Sequence, residues 1–159
     1  MINVLLKEHQ QILSALIKHH VNFILIGGYA VIHYGYERTT GDMDIWLQLG
    51  NENRDKLIGA LTDFGIEDEG LEQLKLLDFT SPIQTIHIGV PPRSIDFLTL
   101  ISNVKFDEAI TKVNYFQLEN FEVPVIHCDD LILSKITSKR LKDKADIEEL
   151  QRINKYRNT

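Results

Sequence analysis

The chain has 159 residues, 43% hydrophobic and 25% charged, proportions that suit one soluble globular domain with a core of its own. Its net charge of −6, from 17 basic and 23 acidic residues, disfavours wrapping a long polyanion such as duplex DNA but leaves room for a small phosphorylated ligand. No apolar run approaches the roughly 18 residues that span a bilayer, the first residues lack a signal-peptide layout, and the single cysteine, Cys128, precludes an internal disulfide; a cytoplasmic protein with no membrane contact is expected.

Taken in chain order, Val4, Leu5, Ile12, Leu13, Leu16 and Ile17 fall close to helical spacing and predict an amphipathic helix over 3–20. The apolar run 21–26, ending at Gly27-Gly28, predicts a buried strand. A short helix over 29–36 follows, closed near Gly35, and then a second strand over 43–49. Residues 52–64 read as a helix, with Gly65 where a C-cap belongs. Two strands, 85–90 and 94–101, are joined by Pro91-Pro92, and the second is almost wholly apolar. A helix over 106–113 is predicted, then two short strand-like pieces within 115–126, with Pro124 pushing the second towards a sheet edge. The tail, about 128–156, reads as helical, with a break allowed for near 139–142. No repeat, low-complexity tract or long linker divides the chain, so one α/β domain over 1–159 with a helical tail is the simplest organisation.

The chemistry concentrates in carboxylates. Residues two apart on a strand point to the same side, so Asp42 and Asp44 present two carboxylates together at the start of a strand. Two unit charges about 4 Å apart repel by roughly 4 kcal/mol at an effective dielectric near 20. A cation or a bound proton must offset that, and a hard divalent ion such as Mg²⁺ prefers oxygen ligands of this kind. Asp96 lies in Ile95-Asp96-Phe97-Leu98, a run apolar on both faces, where a lone carboxylate is costly unless paired or metal-bound. A basic partner such as Arg93 is one solution. If the two strands are neighbours, three carboxylates converge, which is the geometry of metal-assisted phosphoryl transfer.

Gly27-Gly28 follows a buried strand and opens a short helix, where glycines permit a tight turn and a close approach of backbone N–H groups to phosphate. A plain strand-to-helix turn accounts for the pair equally. Arg38, Thr39 and Thr40 supply either phosphate and base contacts or solvated loop residues.

Together, Gly27-Gly28-Tyr29-Ala30, then Arg38-Thr39-Thr40-Gly41-Asp42-Met43-Asp44, then Asp96 on a later apolar strand, resemble the polymerase-β-like nucleotidyltransferases. The wording is most similar to the branch holding lincosamide-type antibiotic nucleotidyltransferases and the toxin nucleotidyltransferases of abortive-infection, toxin–antitoxin-like systems. The match spans roughly 22–101, with a weaker one through the tail. The resemblance implies a mixed β-sheet flanked by helices, two Mg²⁺ ions, and transfer of a nucleoside monophosphate from an NTP such as ATP with pyrophosphate released. It assigns triphosphate binding to Gly27 and Gly28, the metals to Asp42 and Asp44, and the catalytic carboxylate to Asp96.

In the tail, an unbroken helix at 100° per residue places Lys135, Lys142 and Asp146 within about 40° of one another, beside an apolar stripe of Ile132, Ile136, Ile147 and Leu150. The toxin branch similarly carries a lysine and a downstream Lys-Asp-x-x-Asp. By that resemblance Lys135 contacts triphosphate, while Lys142, Asp143 and Asp146 lie on the acceptor side. Ordinary i,i+4 surface pairs, Lys139 with Asp143 and Lys142 with Asp146, are the plain alternative. His33 and His87 read as structural or surface residues, Trp46 as core packing, and Asp129-Asp130 as helix N-terminal acids.

The expected activity is nucleotidyl transfer to a hydroxyl or phosphate acceptor, whether small molecule, RNA end or protein. A non-catalytic regulatory partner on the same fold, or a metal-dependent phosphohydrolase, are the rivals. With little room for a separate acceptor domain, a homodimer is expected.

Overall fold

The computed structural model describes residues 5–66, 69–83, 85–90 and 94–157. Val4, the Pro91-Pro92 junction and Arg93, invoked above, lie outside them. The elements run α1 (Lys7–Lys18), β1 (Phe23–Ile26), α2 (Gly27–His33), β2 (Met43–Leu47), α3 (Asn51–Phe64), α4 (Glu69–Leu76), β3 (Ile86–Ile88), β4 (Ile95–Leu98), α5 (Phe106–Ala109), β5 (Asn114–Gln117), β6 (Glu122–Val125), α6 (Cys128–Lys135) and α7 (Leu141–Arg157). The six strands form one mixed sheet in the order β3-β4-β2-β1-β6-β5. Strand β2 runs antiparallel to β1 and parallel to β4.

The period-2 pattern explains why this sheet has one chemical face. Met43 and Ile45 on β2, Ile95 and Phe97 on β4, and Ile86 and Ile88 on β3 are buried. The alternate positions, Asp44, Asp96 and His87, are half-buried or exposed on the opposite face. Ile12, Leu13 and Leu16 of α1 join Leu57, Ala60 and Leu61 of α3 in the core, and Gly65 ends α3 at φ +92°. Trp46 is 1% exposed and meets Phe106 edge-on at 5.2 Å, so it is core packing.

Several boundaries differ from expectation. Helix α2 begins at Gly27, directly after β1. The helix expected over 106–113 closes at Ala109 and passes into turns. Helix α4 was not anticipated; only Leu71 and Leu74 among its large side chains are buried. Strand β6, carrying Pro124, is not an edge: it lies between β1 and β5. Its ladder to β1 is confined to the register Leu25↔Val125, with the Ile126 N–H donating to the Leu25 carbonyl at 3.1 Å, so the ring interrupts nothing on that side. The tail breaks between Lys135 and Leu141, and the helical register joining Lys135 to Lys142 and Asp146 therefore does not exist. Helices α6 and α7 instead fold against each other. Ile132 and Leu150 are buried, whereas Ile136 is 56% exposed. Asp129 and Asp130 occupy the first turn of α6, where the His127 ring accepts from the Asp129 N–H at 3.1 Å.

Candidate active site

Sheet register builds the site. His87, Asp96, Asp44 and Ile26 stand in one row across β3, β4, β2 and β1, each the register partner of the next. Asp42 lies two residues before Asp44 and accepts a hydrogen bond from the Ser94 hydroxyl, a fully buried group at the foot of β4. Asp42, Asp44 and Asp96 all border one 460 Å³ cavity. Gly27, Gly28, Arg38, Thr40, Lys135, Lys142 and Asp143 border the same cavity. An adjoining hollow of 230 Å³ shares Asp44, Asp96 and Lys135 and continues over Leu98, Ile101 and Leu131. A hollow of 820 Å³ between α3 and α4 shares no lining residue with either.

The glycine pair has a geometric explanation. Gly27 has φ +70°, and a Cβ on it would fall 2.0 Å from Asp44 Oδ2. A Cβ on Gly28 would fall 2.1 Å from Thr40 Oγ1. Each glycine thus lets a neighbouring loop or strand side chain press against the β1–α2 turn. Thr39 is exposed, and its carbonyl accepts from Arg38 Nη1 at 2.8 Å.

Burial pushes the Asp44 carboxyl up to about 7, reinforced by the negative charges of Asp96 and Asp42 and only partly countered by Lys135 and Lys142. A clustered carboxylate in that state is served either by a proton or by a cation. Hard oxygen donors grouped in this way suit a divalent ion. Asp42, Asp96 and His87 each offer one ligand atom, and the three atoms lie within 4.8 Å of one another.

His87, expected to be structural or surface, is therefore at the site: its Nδ1 lies 2.5 Å from Asp96 Oδ1, and this hydrogen bond raises the imidazole pKa. No sequence signal marked it, because the contact depends on the antiparallel register of β3 with β4.

Opposite the carboxylates, the tail supplies an ionic network rather than surface pairs. Lys135 Nζ lies 2.9 Å from Asp143 Oδ1 and 3.2 Å from Asp146 Oδ2. Arg38 pairs with Asp146: Nη2 donates to Oδ2 at 3.2 Å, and Nε lies 3.0 Å from Oδ1 as an ion-pair contact outside hydrogen-bond geometry. Asp143 also accepts from Ser138 at 2.6 Å and from Arg140 Nε at 2.8 Å. Both aspartates are buried, at 4% and 1% exposure, which excludes the solvent-facing i,i+4 alternative. Although burial works to raise the Asp143 carboxyl, the bonds from Arg140, Ser138 and Lys135 hold it well below the usual carboxylate range. Arg140 and Ser138 were not anticipated as part of this network. His33 remains structural, its ring edge-on to Tyr34 and Phe116.

A mixed sheet with paired carboxylates on one strand, a third on its parallel neighbour and a glycine turn alongside defines a nucleotidyltransferase-like fold. The chain belongs to the family described as nucleotidyltransferase of unknown function (DUF6036), whose model matches residues 4–156. Among solved structures, it is similar to the lincosamide antibiotic adenylyltransferase LnuA in its lincomycin-bound form, at 19% identity over 94% of this chain and 98% of that one, TM-score 0.61. A nucleotidyltransferase-annotated protein of Thermotoga maritima, TM1012, aligns at 12% identity over 94% and 89% of the two chains, TM-score 0.55. ANT(2″)-Ia in complex with adenylyl-2″-tobramycin aligns at 13% identity over 91% of each, TM-score 0.54. At these identities the likeness concerns the fold. A search of curated proteins gave no sequence match. Among the described residues no helix is long and apolar enough to cross a membrane.

Proposed function

We propose that this protein is a metal-dependent nucleotidyltransferase that moves a nucleoside monophosphate from an NTP to a hydroxyl-bearing acceptor, releasing pyrophosphate. The observation that carries the proposal is one cavity bordered by Asp42, Asp44 and Asp96 together with Arg38, Lys135 and Lys142. Carboxylates and cations lining one space are what a metal–triphosphate complex needs. Mg²⁺ held by Asp42, Asp44 and Asp96 would neutralise charge on the phosphates and polarise the reacting phosphorus. Gly27, Gly28 and Thr40 border the same cavity, where a triphosphate would lie beside the β1–α2 turn. Lys135, anchored by Asp143 and Asp146, holds its ammonium at the cavity wall. Asp96 would accept the proton of an attacking hydroxyl. Lys142 and Asp143 border the cavity from α7, the side from which an acceptor would enter.

LnuA is a lincosamide antibiotic adenylyltransferase and ANT(2″)-Ia is complexed with adenylyl-2″-tobramycin, and both support a small-molecule acceptor over a polynucleotide. The net charge of −6 points the same way. A decisive experiment incubates the full chain with Mg²⁺ and each α-labelled NTP, with and without a panel of hydroxylated small molecules. Pyrophosphate release coupled to a labelled adduct is expected, and absent from Asp44→Asn. Release of free monophosphate without any adduct favours a phosphohydrolase. Failure of the wild-type chain to bind metal and nucleotide overturns the proposal in favour of a non-catalytic regulatory protein.

A further inference from the structure

The row of register partners places Asp96 between two different neighbours. On one side is Asp44, leaning towards Gly27; on the other is His87. Among the described residues, the tight donor group with Asp42 lies on the His87 side, all three ligand atoms lying within 4.8 Å of one another. Metal–ligand bonds of roughly 2.1 Å put opposite ligands about 4.2 Å apart, so a single ion fits this spacing with small side-chain adjustments. His87 is 47% exposed on its side chain, which leaves its ring open to solvent-borne ions. An exposed imidazole–carboxylate pair contributes little to folding, so stability gives no strong reason for an imidazole at this register position.

We infer that His87 is a metal ligand, and that Asp42, Asp96 and His87 form a mixed nitrogen–oxygen position with a preference for a divalent transition ion, Mn²⁺ being the probe of choice, over Mg²⁺. The inference rests on the nucleotidyltransferase reading for the roles of Asp42 and Asp96, and adds His87 as a nitrogen donor beside the carboxylates and an ion preference at that position. The chemistry is direct. Imidazole nitrogen is a borderline donor that binds transition ions well and Mg²⁺ poorly, while carboxylate oxygens accept either. Replacing one oxygen donor by nitrogen therefore shifts selectivity towards Mn²⁺ and its heavier neighbours. Ser94 fixes Asp42 by donating to Oδ1, which leaves Oδ2 as the freer donor atom.

The test is spectroscopic and independent of turnover. The full-length chain is titrated with Mn²⁺ by electron paramagnetic resonance, Mg²⁺ is used as competitor, and the bound ion is examined by electron spin-echo envelope modulation. Wild type is expected to show modulation from a directly coordinated ¹⁴N and tighter binding of Mn²⁺ than of Mg²⁺. His87→Ala should abolish the nitrogen signal and weaken Mn²⁺ by roughly tenfold or more, while Mg²⁺ affinity changes little. Because the chain has 6 histidines, loss of the signal in this one variant identifies the ligand. Bound Mn²⁺ without nitrogen modulation, or modulation that persists in His87→Ala, overturns the inference and leaves nucleotidyl transfer standing. Absence of both Mn²⁺ and Mg²⁺ binding in wild type overturns both.

Discussion

Gly27 packs directly against Asp44: a Cβ on the glycine would lie 2.0 Å from the carboxylate oxygen, and the glycine backbone is at φ +70°. The β1–α2 turn and the position of Asp44 are therefore one structural decision. Gly27→Ala should suffer both a left-handed backbone that alanine adopts poorly and a displaced carboxylate. A loss of about 1–3 kcal/mol in stability is expected, with metal affinity falling in the same variant. Urea denaturation and Mn²⁺ titration of wild type and variant check both effects.

Gly28 offers the contrasting case. Its added Cβ meets the Thr40 side chain, at 2.1 Å from Oγ1, and no positive φ stands in the way. Gly28→Ala should therefore be rescued by Thr40→Gly in the double variant, whereas no replacement of Asp44 removes the backbone strain at Gly27. A thermal denaturation cycle over the four Gly28 and Thr40 combinations should show a coupling well above additivity error.

Asp44 links the site to pH. Its folded-state pKa, raised to about 7 from an ordinary 3.8, means the metal-free native state binds this proton more tightly than the unfolded chain. The associated stability is fully present below 3.8 and is lost as pH rises through about 7. Asp44→Asn should therefore raise the melting temperature of the metal-free protein at pH 8 by several degrees, with no gain at pH 4. Divalent ions should bind better as pH rises through the same window, because they compete with that proton. Asp143 has the opposite sign: its lowered pKa gives stability present above 3.8 and lost only in strong acid. A melting series from pH 4 to 8 in EDTA, for wild type and Asp44→Asn, tests the sign.

The divide between what sequence made legible and what it did not follows sequence distance. Asp42, Asp44 and the strand carrying them were readable because alternation is local, and Asp96 because an acid inside an apolar run is conspicuous. The convergence of the three required β2 and β4 to be parallel neighbours, which only the sheet order decides. His87 meets Asp96 across an antiparallel register that no periodicity encodes. The tail was legible only in part, for a related reason. Spacings of four suggested surface pairs, but the break after Lys135 turns α7 back on α6, and Asp146 is held by Arg38, which is 108 positions away in sequence. Helix α4 escaped notice because two buried leucines in eight residues give too weak a pattern.

Asp143 and Asp146 carry different burdens despite their shared lysine. Asp146 is the carboxylate partner of Arg38 and Lys135, each with only 11% of its side chain exposed. Asp143 shares Lys135 but otherwise pairs with Arg140, which is 74% exposed and can return to water. Asp146→Ala strands a half-buried guanidinium and should cost about 3–5 kcal/mol. Asp143→Ala leaves Lys135 a partner and should cost about 1–3 kcal/mol. Urea midpoints of the two variants measure the order, and a larger loss for Asp143→Ala would show that Arg38 finds another partner.

On the proposed function Asp96 and Asp42 should separate in kinetics, although both would hold the same ion. Asp42 is tied to Ser94 and on that reading serves to hold metal, so Asp42→Asn should weaken metal and nucleotide binding together. Asp96 faces the cavity between Asp44 and the apolar hollow formed by Leu98 and Ile101, where an acceptor hydroxyl can approach. As proton acceptor it acts on the chemical step, so Asp96→Asn should keep measurable nucleotide binding while the transfer rate falls by roughly 10²–10⁴-fold. Single-turnover pyrophosphate release, set beside nucleotide affinity from calorimetry, distinguishes the two. If Asp96→Asn loses nucleotide affinity as fully as Asp42→Asn and the rate at saturation is unchanged, Asp96 is a ligand only and the proton leaves by another route.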